Sequence, residues 1–163
     1  MTASRHPVIE KDLQEILDSS VPWEDMRDST VAISGAYGFV VAYLVEALLY
    51  ANEHLGTNIR VVGVVRNREK ARARFAAYEG RKDLQFLFQD VCEPVQIDGP
   101  VDFIIHGASW ASPMYYGSQP VGSLMPNVMG TRSLLDLAVA KQTRKFLFFS
   151  SAEIYGRVPP ELI

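Results

Sequence analysis

The sequence predicts an α/β fold, a doubly wound parallel sheet with its strands in the order 3-2-1-4-5. Three observations carry that prediction. A short apolar run, a glycine turn and an amphipathic run follow one another from Val31 to Leu44, reading Val-Ala-Ile-Ser-Gly-Ala-Tyr-Gly-Phe-Val-Val-Ala-Tyr-Leu. Strand-like and helix-like segments then alternate along the rest of the chain. Polar residues gather just past the ends of the strand-like runs, at 66–68, at 90 and at 106–109. Such alternation implies right-handed crossovers. These put the first three strands in the order 3-2-1 and the fourth and fifth beyond the first.

Each element has its own warrant. An N-terminal helix fits Ile9, Leu13, Ile16 and Leu17, which share one face. Asp18-Ser-Ser-Val-Pro22 breaks it, and Trp23 is expected to pack the linker down. The first strand covers Thr30 to Ser34. The helix after it carries Val41, Leu44, Val45 and Leu48 at i, i+3, i+4 and i+7, and Gly56-Thr-Asn58 closes it. A second strand, Ile59 to Arg66, is nearly all β-branched. The charged segment Asn67 to Tyr78 reads as a solvated helix ended by Gly80, and Leu84 to Phe88 as the third strand. The turn Asp98-Gly-Pro100 leads into a fourth strand, Val101 to His106. A loop with Pro113 and Pro120 precedes a long helix carrying Val121, Leu124, Met125 and Val128, and Lys145 to Ser150 is the fifth strand.

Composition narrows the class. The chain has 163 residues, 48% of them apolar and 21% charged, ordinary values for one globular domain with a proper core. A net charge of −3 and a pI of 5.6 give no footprint for nucleic acid. Cys92 is the one cysteine, so no disulfide framework forms within the chain, which fits a reducing compartment. The polar start Met1-Thr-Ala-Ser-Arg-His6 has no apolar signal core. The longest apolar stretch, Phe39 to Ala51, is interrupted by Glu46 and too short to span a bilayer. A cytoplasmic protein is expected, with no membrane or nucleic-acid partner and no metal site.

The functional reading starts at the glycine turn. A turn that hands a strand to a helix aims several backbone N–H groups at one place and adds the positive end of the helix dipole. Together these bind a pyrophosphate. Gly35, Ala36, Tyr37, Gly38, Phe39 and Val40 are the candidates; an ordinary structural turn is the alternative. Val41 stands where a glycine or alanine normally lets the helix approach the strand, so the helix is expected to move outward or a local shift to absorb it. The end of the second strand discriminates between coenzymes. A carboxylate there would bond the adenosine ribose and repel a 2′-phosphate, but this chain has Arg66-Asn67-Arg68. A guanidinium pairs a 2′-phosphate and stacks on adenine, so Arg66 favours NADP over NAD. Arg68, Lys70, Arg72 and Arg74 read equally well as a solvated helix face. Asp90, followed by Val91, suits the adenine amino group or is a plain loop aspartate.

From about Thr30 to Gly156 the chain resembles the N-terminal part of an extended short-chain dehydrogenase/reductase of the NAD-dependent epimerase/dehydratase group, which acts on nucleotide sugars. The resemblance rests on His106-Gly-Ala-Ser109, Asn127-x-x-Gly130-Thr131 and Ser150-Ser-Ala-Glu-Ile-Tyr-Gly156, in that order. The stretch His106-Gly-Ala-Ser-Trp-Ala-Ser-Pro-Met-Tyr-Tyr116 is most similar to the UDP-glucuronate decarboxylases (UDP-xylose synthases). The resemblance implies a Rossmann-type NAD(P)-binding domain over residues 29–163, lacking its final strands and the substrate domain, behind a helical extension over residues 1–28. It implies NAD(P) as cofactor, with His106, Gly107, Ala108, Ser109 and Asn127 beside it, a UDP-sugar as substrate, and a homo-oligomer. The implied chemistry is oxidation at sugar C4 to a 4-keto sugar, which is then decarboxylated, epimerised or dehydrated. Ser151 takes the position of the hydroxyl that bonds the C4 oxygen, and Glu153 that of a base or sugar-orienting carboxylate. Ala152 between them donates no proton, which argues against 4,6-dehydration. In the plainer alternatives Ser150 and Ser151 cap a strand end, Glu153 is a solvated loop charge, His106 is a packed strand-end residue and Asn127 bonds only within its helix.

The family's chemistry also needs Tyr-x-x-x-Lys on a helix after the fifth strand, where the lysine lowers the tyrosine pKa. The match in this sequence is Tyr78-Glu-Gly-Arg-Lys82, which lies before the third strand and is interrupted by Gly80. Tyr155 is followed at the fourth position by Pro159. The expectation is a truncated polypeptide without turnover of its own. Two other readings stay open: a non-catalytic nucleotide-sensing or assembly module, and an NADP-dependent reductase of small carbonyl compounds.

Overall fold

Runs of β-branched and aromatic residues form five parallel strands: β1 (Thr30–Ser34), β2 (Arg60–Val65), β3 (Leu84–Phe88), β4 (Phe103–His106) and β5 (Lys145–Phe148). They pair in the order β3-β2-β1-β4-β5, as the alternation predicts. The computed structural model describes residues 5–110, 112–156 and 158–159, and the side chains of all of these except 113, 152 and 153. The register sets Ser34 between Val64 and His106, and His106 beside Phe148. The carboxyl ends of the strands therefore rise to one edge, where ligands of open α/β sheets bind.

Two apolar layers sandwich the sheet. Val31, Ile33, Val61 and Val65 join one cluster with α2 (Phe39–Leu55) and with Leu13 of α1 (Pro7–Leu17). Ala32, Val62, Val64 and Ile104 point the other way, into a cluster with Val95, Ile97 and the Leu134 and Leu137 of α6 (Thr131–Lys141). Alternate residues of one strand serve opposite faces because the side-chain period of a strand is two. The N-terminal helix thus shares the core of the sheet. Trp23 is buried, and its Nε1–H donates to the Leu17 carbonyl at 3.2 Å, which pins the linker as predicted.

Several elements differ from their sequence prediction. The segment after β2 is not a wholly solvated helix. α3 (Arg68–Arg74) is short, a 3-10 turn follows at Ala76–Tyr78, and Ala71, Phe75 and Tyr78 turn into the core. The stretch expected as a loop forms α4 (Pro113–Ser118), with proline at the first helical position, where no N–H is needed. The long helix is interrupted. α5 (Pro120–Met125) runs into a π-helical turn at Pro126–Gly130 before α6 begins, because Pro126 has no N–H for the ladder. β4 begins at Phe103 rather than Val101, and β5 ends at Phe148 rather than Ser150.

Candidate functional site

β1 ends in the buried Ser34, and the chain turns at Gly35 with φ +69°. A side chain at Gly35 would put its first carbon 2.8 Å from the Ala108 Cα. The turns after β1 and β4 therefore touch backbone to backbone, which only glycine permits. The Gly35 N–H donates to the Val64 carbonyl at 3.0 Å, and the Gly38 N–H to the Gly35 carbonyl at 2.8 Å, which closes the turn. α2 starts at the next residue. Its N-cap, Gly38, supplies no side-chain acceptor, and its first turn holds no carboxylate. The leading N–H groups and the positive dipole end of a 17-residue helix are thus aimed past the sheet edge. Val41 does not disturb this. Its Cγ2 takes the space above Gly107, 2.5 Å from where a side-chain carbon at Gly107 would stand.

A buried polar relay locks the two turns together. The Ser34 Oγ accepts the N–H groups of Gly107 and Ala108, each at 3.2 Å, and lies 2.6 Å from His106 Nδ1. His106 Nε2 lies 3.1 Å from the Pro126 carbonyl, which only accepts. The neutral imidazole therefore carries its proton on Nε2 and takes the Ser34 hydroxyl hydrogen on Nδ1. His106 is 2% exposed, and burial pushes its pKa below the ordinary histidine value against the pull of the Pro126 carbonyl. His106, expected beside the coenzyme, does not line the cleft above it. Its ring is a fastener inside the protein, and only its neighbours face outward. Ser34, which sequence reasoning did not single out, is the hub. The signal was present as a lone hydroxyl closing an apolar strand.

Above this relay opens a cleft of about 490 Å3. Gly35, Tyr37 and Gly38 line it from β1, Arg66 from β2, Asp90 and Val91 from β3, and Gly107, Ala108 and Ser109 from β4. Residues predicted separately at four strand ends thus share one cavity. Lys70, Trp110 and Tyr115 line it too. Across the mouth, Arg66 Nη1 stands 3.4 Å from Asp90 Oδ2, and its guanidinium carbon lies 5.8 Å from the centre of the Trp110 ring. Trp110 in turn packs on Tyr115 at 5.1 Å. Partial burial opposes ionisation of Asp90, but the Cys92 N–H at 2.9 Å and then Arg66 outweigh it and hold the carboxyl below its usual range. Burial and then Asp90 push the Cys92 thiol up to about 11, so it stays protonated at neutral pH.

Other predicted residues lie outside the cavity wall. Ala36 is buried against β2, and a side chain at Gly63 would meet it at 3.0 Å. Phe39 and Val40 are exposed on the first turn of α2. The Asn67 side-chain oxygen, Oδ1, caps α3 by accepting the Lys70 N–H at 2.8 Å. The Asn127 amide donates to the Ser123 carbonyl at 2.8 Å within the π-helical turn. Ser151 is exposed just past β5, at the same edge as the cleft. The Glu153 side chain lies outside the described residues. Tyr78 is buried, and its hydroxyl accepts the Arg5 Nε–H at 3.0 Å, remote from the glycine turn. A second depression of about 570 Å3 lies along α6, with no residue of the glycine turn among its walls.

Fold and site together define a Rossmann-like α/β protein whose first strand and helix are joined by a glycine turn beneath a cleft. The chain belongs to the NAD dependent epimerase/dehydratase family, whose model matches residues 31–162. It is 34% identical over 128 residues to UDP-glucuronic acid decarboxylase 4 of Arabidopsis thaliana, covering 77% of this chain and 26% of that protein. With UDP-glucuronic acid decarboxylase 1 of Danio rerio the identity is 34% over 127 residues, covering 77% and 28%. The chain spans about a quarter to a third of the length of these curated relatives. The dTDP-glucose 4,6-dehydratase DesIV of Streptomyces venezuelae, solved as a double mutant with NAD and DAU bound, shares the fold with a TM-score of 0.68 at 21% identity over 78% of this chain and 41% of its own. UDP-N-acetylglucosamine 4-epimerase of Methanobrevibacter ruminantium M1 does so with a TM-score of 0.66 at 19% identity over 85% and 43%. Among the described residues no helix is long and apolar enough to cross a membrane.

Proposed function

We propose that this chain is the coenzyme-binding part of a nucleotide-sugar enzyme that oxidises C4 of a UDP-sugar, with decarboxylation as the outcome favoured by its relatives. The observation that carries the reading is the Gly35–Gly38 turn and bare α2 N-terminus beneath a cleft walled by four strand ends. Gly35 and Gly107 let the turns after β1 and β4 and the start of α2 pack closely beneath the cleft, and the uncapped N–H groups of α2 suit a diphosphate. When bound, a nicotinamide coenzyme supplies a hydride acceptor. The chain's own residues grip and orient it: the turn holds the diphosphate, Asp90 and Val91 the adenine, and Arg66 with Lys70 the 2′-phosphate of NADP. Ala108 and Ser109 lie further along the same cavity. Ser151 holds the sugar C4 oxygen, and Glu153 orients the sugar or accepts its proton. Calorimetric titration tests the coenzyme reading. NADP is expected to bind more tightly than NAD; tighter NAD binding overturns the role given to Arg66, and no binding of either overturns the site.

The polypeptide by itself is expected to turn over no UDP-sugar, since its Tyr-x-x-x-Lys is Tyr78–Lys82, with the tyrosine hydroxyl engaged by Arg5. NAD(P)-dependent conversion of UDP-glucuronate by this chain alone would refute that. The same observation favours a second reading, a nucleotide-sensing module. Tight coenzyme binding without any measurable UDP-sugar affinity supports the module over the enzyme. Self-association is proposed as well, through the exposed apolar residues of β5, α5 and α6.

A further inference from the structure

We propose that Asp90 tunes coenzyme choice by occupying Arg66, so that a 2′-phosphate must compete with a resident carboxylate for one guanidinium. The inference deepens the coenzyme reading above and rests on it. Its first support is where the pair sits. Arg66 Nη1 and Asp90 Oδ2 are 3.4 Å apart, with side chains 48% and 35% exposed, at the cleft mouth within reach of a ligand. A pair this long and this wet is exchangeable.

The second support is that the two partners are held unequally. The Asp90 carboxylate is fixed, since its other oxygen, Oδ1, accepts the Cys92 N–H at 2.9 Å. The guanidinium is backed by the Trp110 ring at 5.8 Å, a contact that supports its plane and leaves its N–H groups able to donate. Arg66 can therefore swing from the carboxylate to a phosphate while staying over the indole. The third support is the local charge. Lys70 lines the same cavity, so two cations and one carboxylate face the space a 2′-phosphate would enter. A phosphate monoester carries nearly two negative charges near neutral pH and pairs a guanidinium through two parallel bonds. Asp90 opposes it twice, by holding Arg66 and by repulsion. NAD, with a neutral 2′-hydroxyl, meets neither effect.

The test is calorimetric titration of NADP and NAD into five proteins: wild type, Asp90→Asn, Asp90→Ser, Arg66→Ala and the Asp90→Asn/Arg66→Ala double variant. Asparagine keeps an acceptor oxygen for the Cys92 N–H, so the turn after β3 is retained. Asp90→Ser provides a second acceptor-bearing variant. The ratio of NADP to NAD affinity is expected to rise about fivefold in Asp90→Asn, the scale of an exposed ion pair. In the Arg66→Ala background the same substitution should raise it clearly less. An unchanged or lower ratio in both Asp90 variants, or an equal rise with and without Arg66, overturns the inference while leaving the coenzyme reading intact. Failure of wild type to bind either coenzyme overturns both.

Discussion

β1 and β5 are both short parallel strands rich in apolar side chains, yet every residue of β1 is buried while three of the four in β5 are exposed. β1 has neighbours on both sides and helices on both faces; among the described residues β5 pairs only with β4. Leu147 and Phe148 are 50% and 44% exposed, and Val121, Leu124 and Val139 of α5 and α6 are exposed as well. The strand composition that makes a core at the centre of the sheet makes a sticky border at its edge. Burial is a property of position in the sheet, not of the residue. Among the described residues the β1 side is therefore closed and the β5 side open.

Substitutions at the β1 turn should break the closed side most. Gly35→Val forces a side chain into a left-handed backbone and onto the Ala108 backbone. A loss of about 3 kcal/mol in urea unfolding is expected, with coenzyme binding abolished. A variant of wild-type stability would contradict the close approach of the two turns. Ser34→Ala comes next. It orphans the His106 Nδ1 acceptor and the Ala108 N–H, while the Gly107 N–H keeps the Ser34 backbone carbonyl at 3.2 Å, at a cost of about 2 kcal/mol in the same assay. A change below about 0.5 kcal/mol would remove the relay from the account.

A pH titration sharpens the contrast further. His106 has a folded pKa depressed by burial, so between that value and its unfolded value of about 6.5 the unfolded chain holds more protons. The stability this neutral imidazole contributes is complete above that range and declines as pH falls through it. Chemical unfolding at pH 7 and pH 5 should show the decline, and His106→Gln, which has no titrating ring, should reduce it. An identical pH slope in that variant would assign the effect elsewhere. The smallest change in stability is expected on the open side. Leu147→Glu at the edge should alter unfolding by no more than about 0.5 kcal/mol, yet should reduce light-scattering mass at high concentration. Unchanged association would show that β5 is not the sticking surface.

Much of this was legible from residues alone. The strand order, the pairing partners and the meeting of Gly35, Arg66, Asp90 and Gly107 in one cleft follow from where apolar runs start and stop. Helix lengths were less legible. Pro126 interrupts its helix, while Pro113 begins one, and which occurs depends on whether the preceding turn needs an N–H. Lys70 reads as part of a solvated face because five of the seven residues of α3 are charged, yet its position in the helix turns it to the cleft. Val41 looked like a steric conflict, and Gly107 sixty-odd residues away resolves it.

By itself the sequence determined the parallel sheet and the glycine turn between β1 and α2, because strand period, helix period and the left-handed freedom of Gly35 are local properties of the chain. Tertiary structure alone decided that Ser34 and His106 close a buried relay, that Arg66 answers to Asp90 and Trp110, and that β5 stays bare. Those facts depend on which distant residues the crossovers bring side by side, and on how many neighbours each strand acquires.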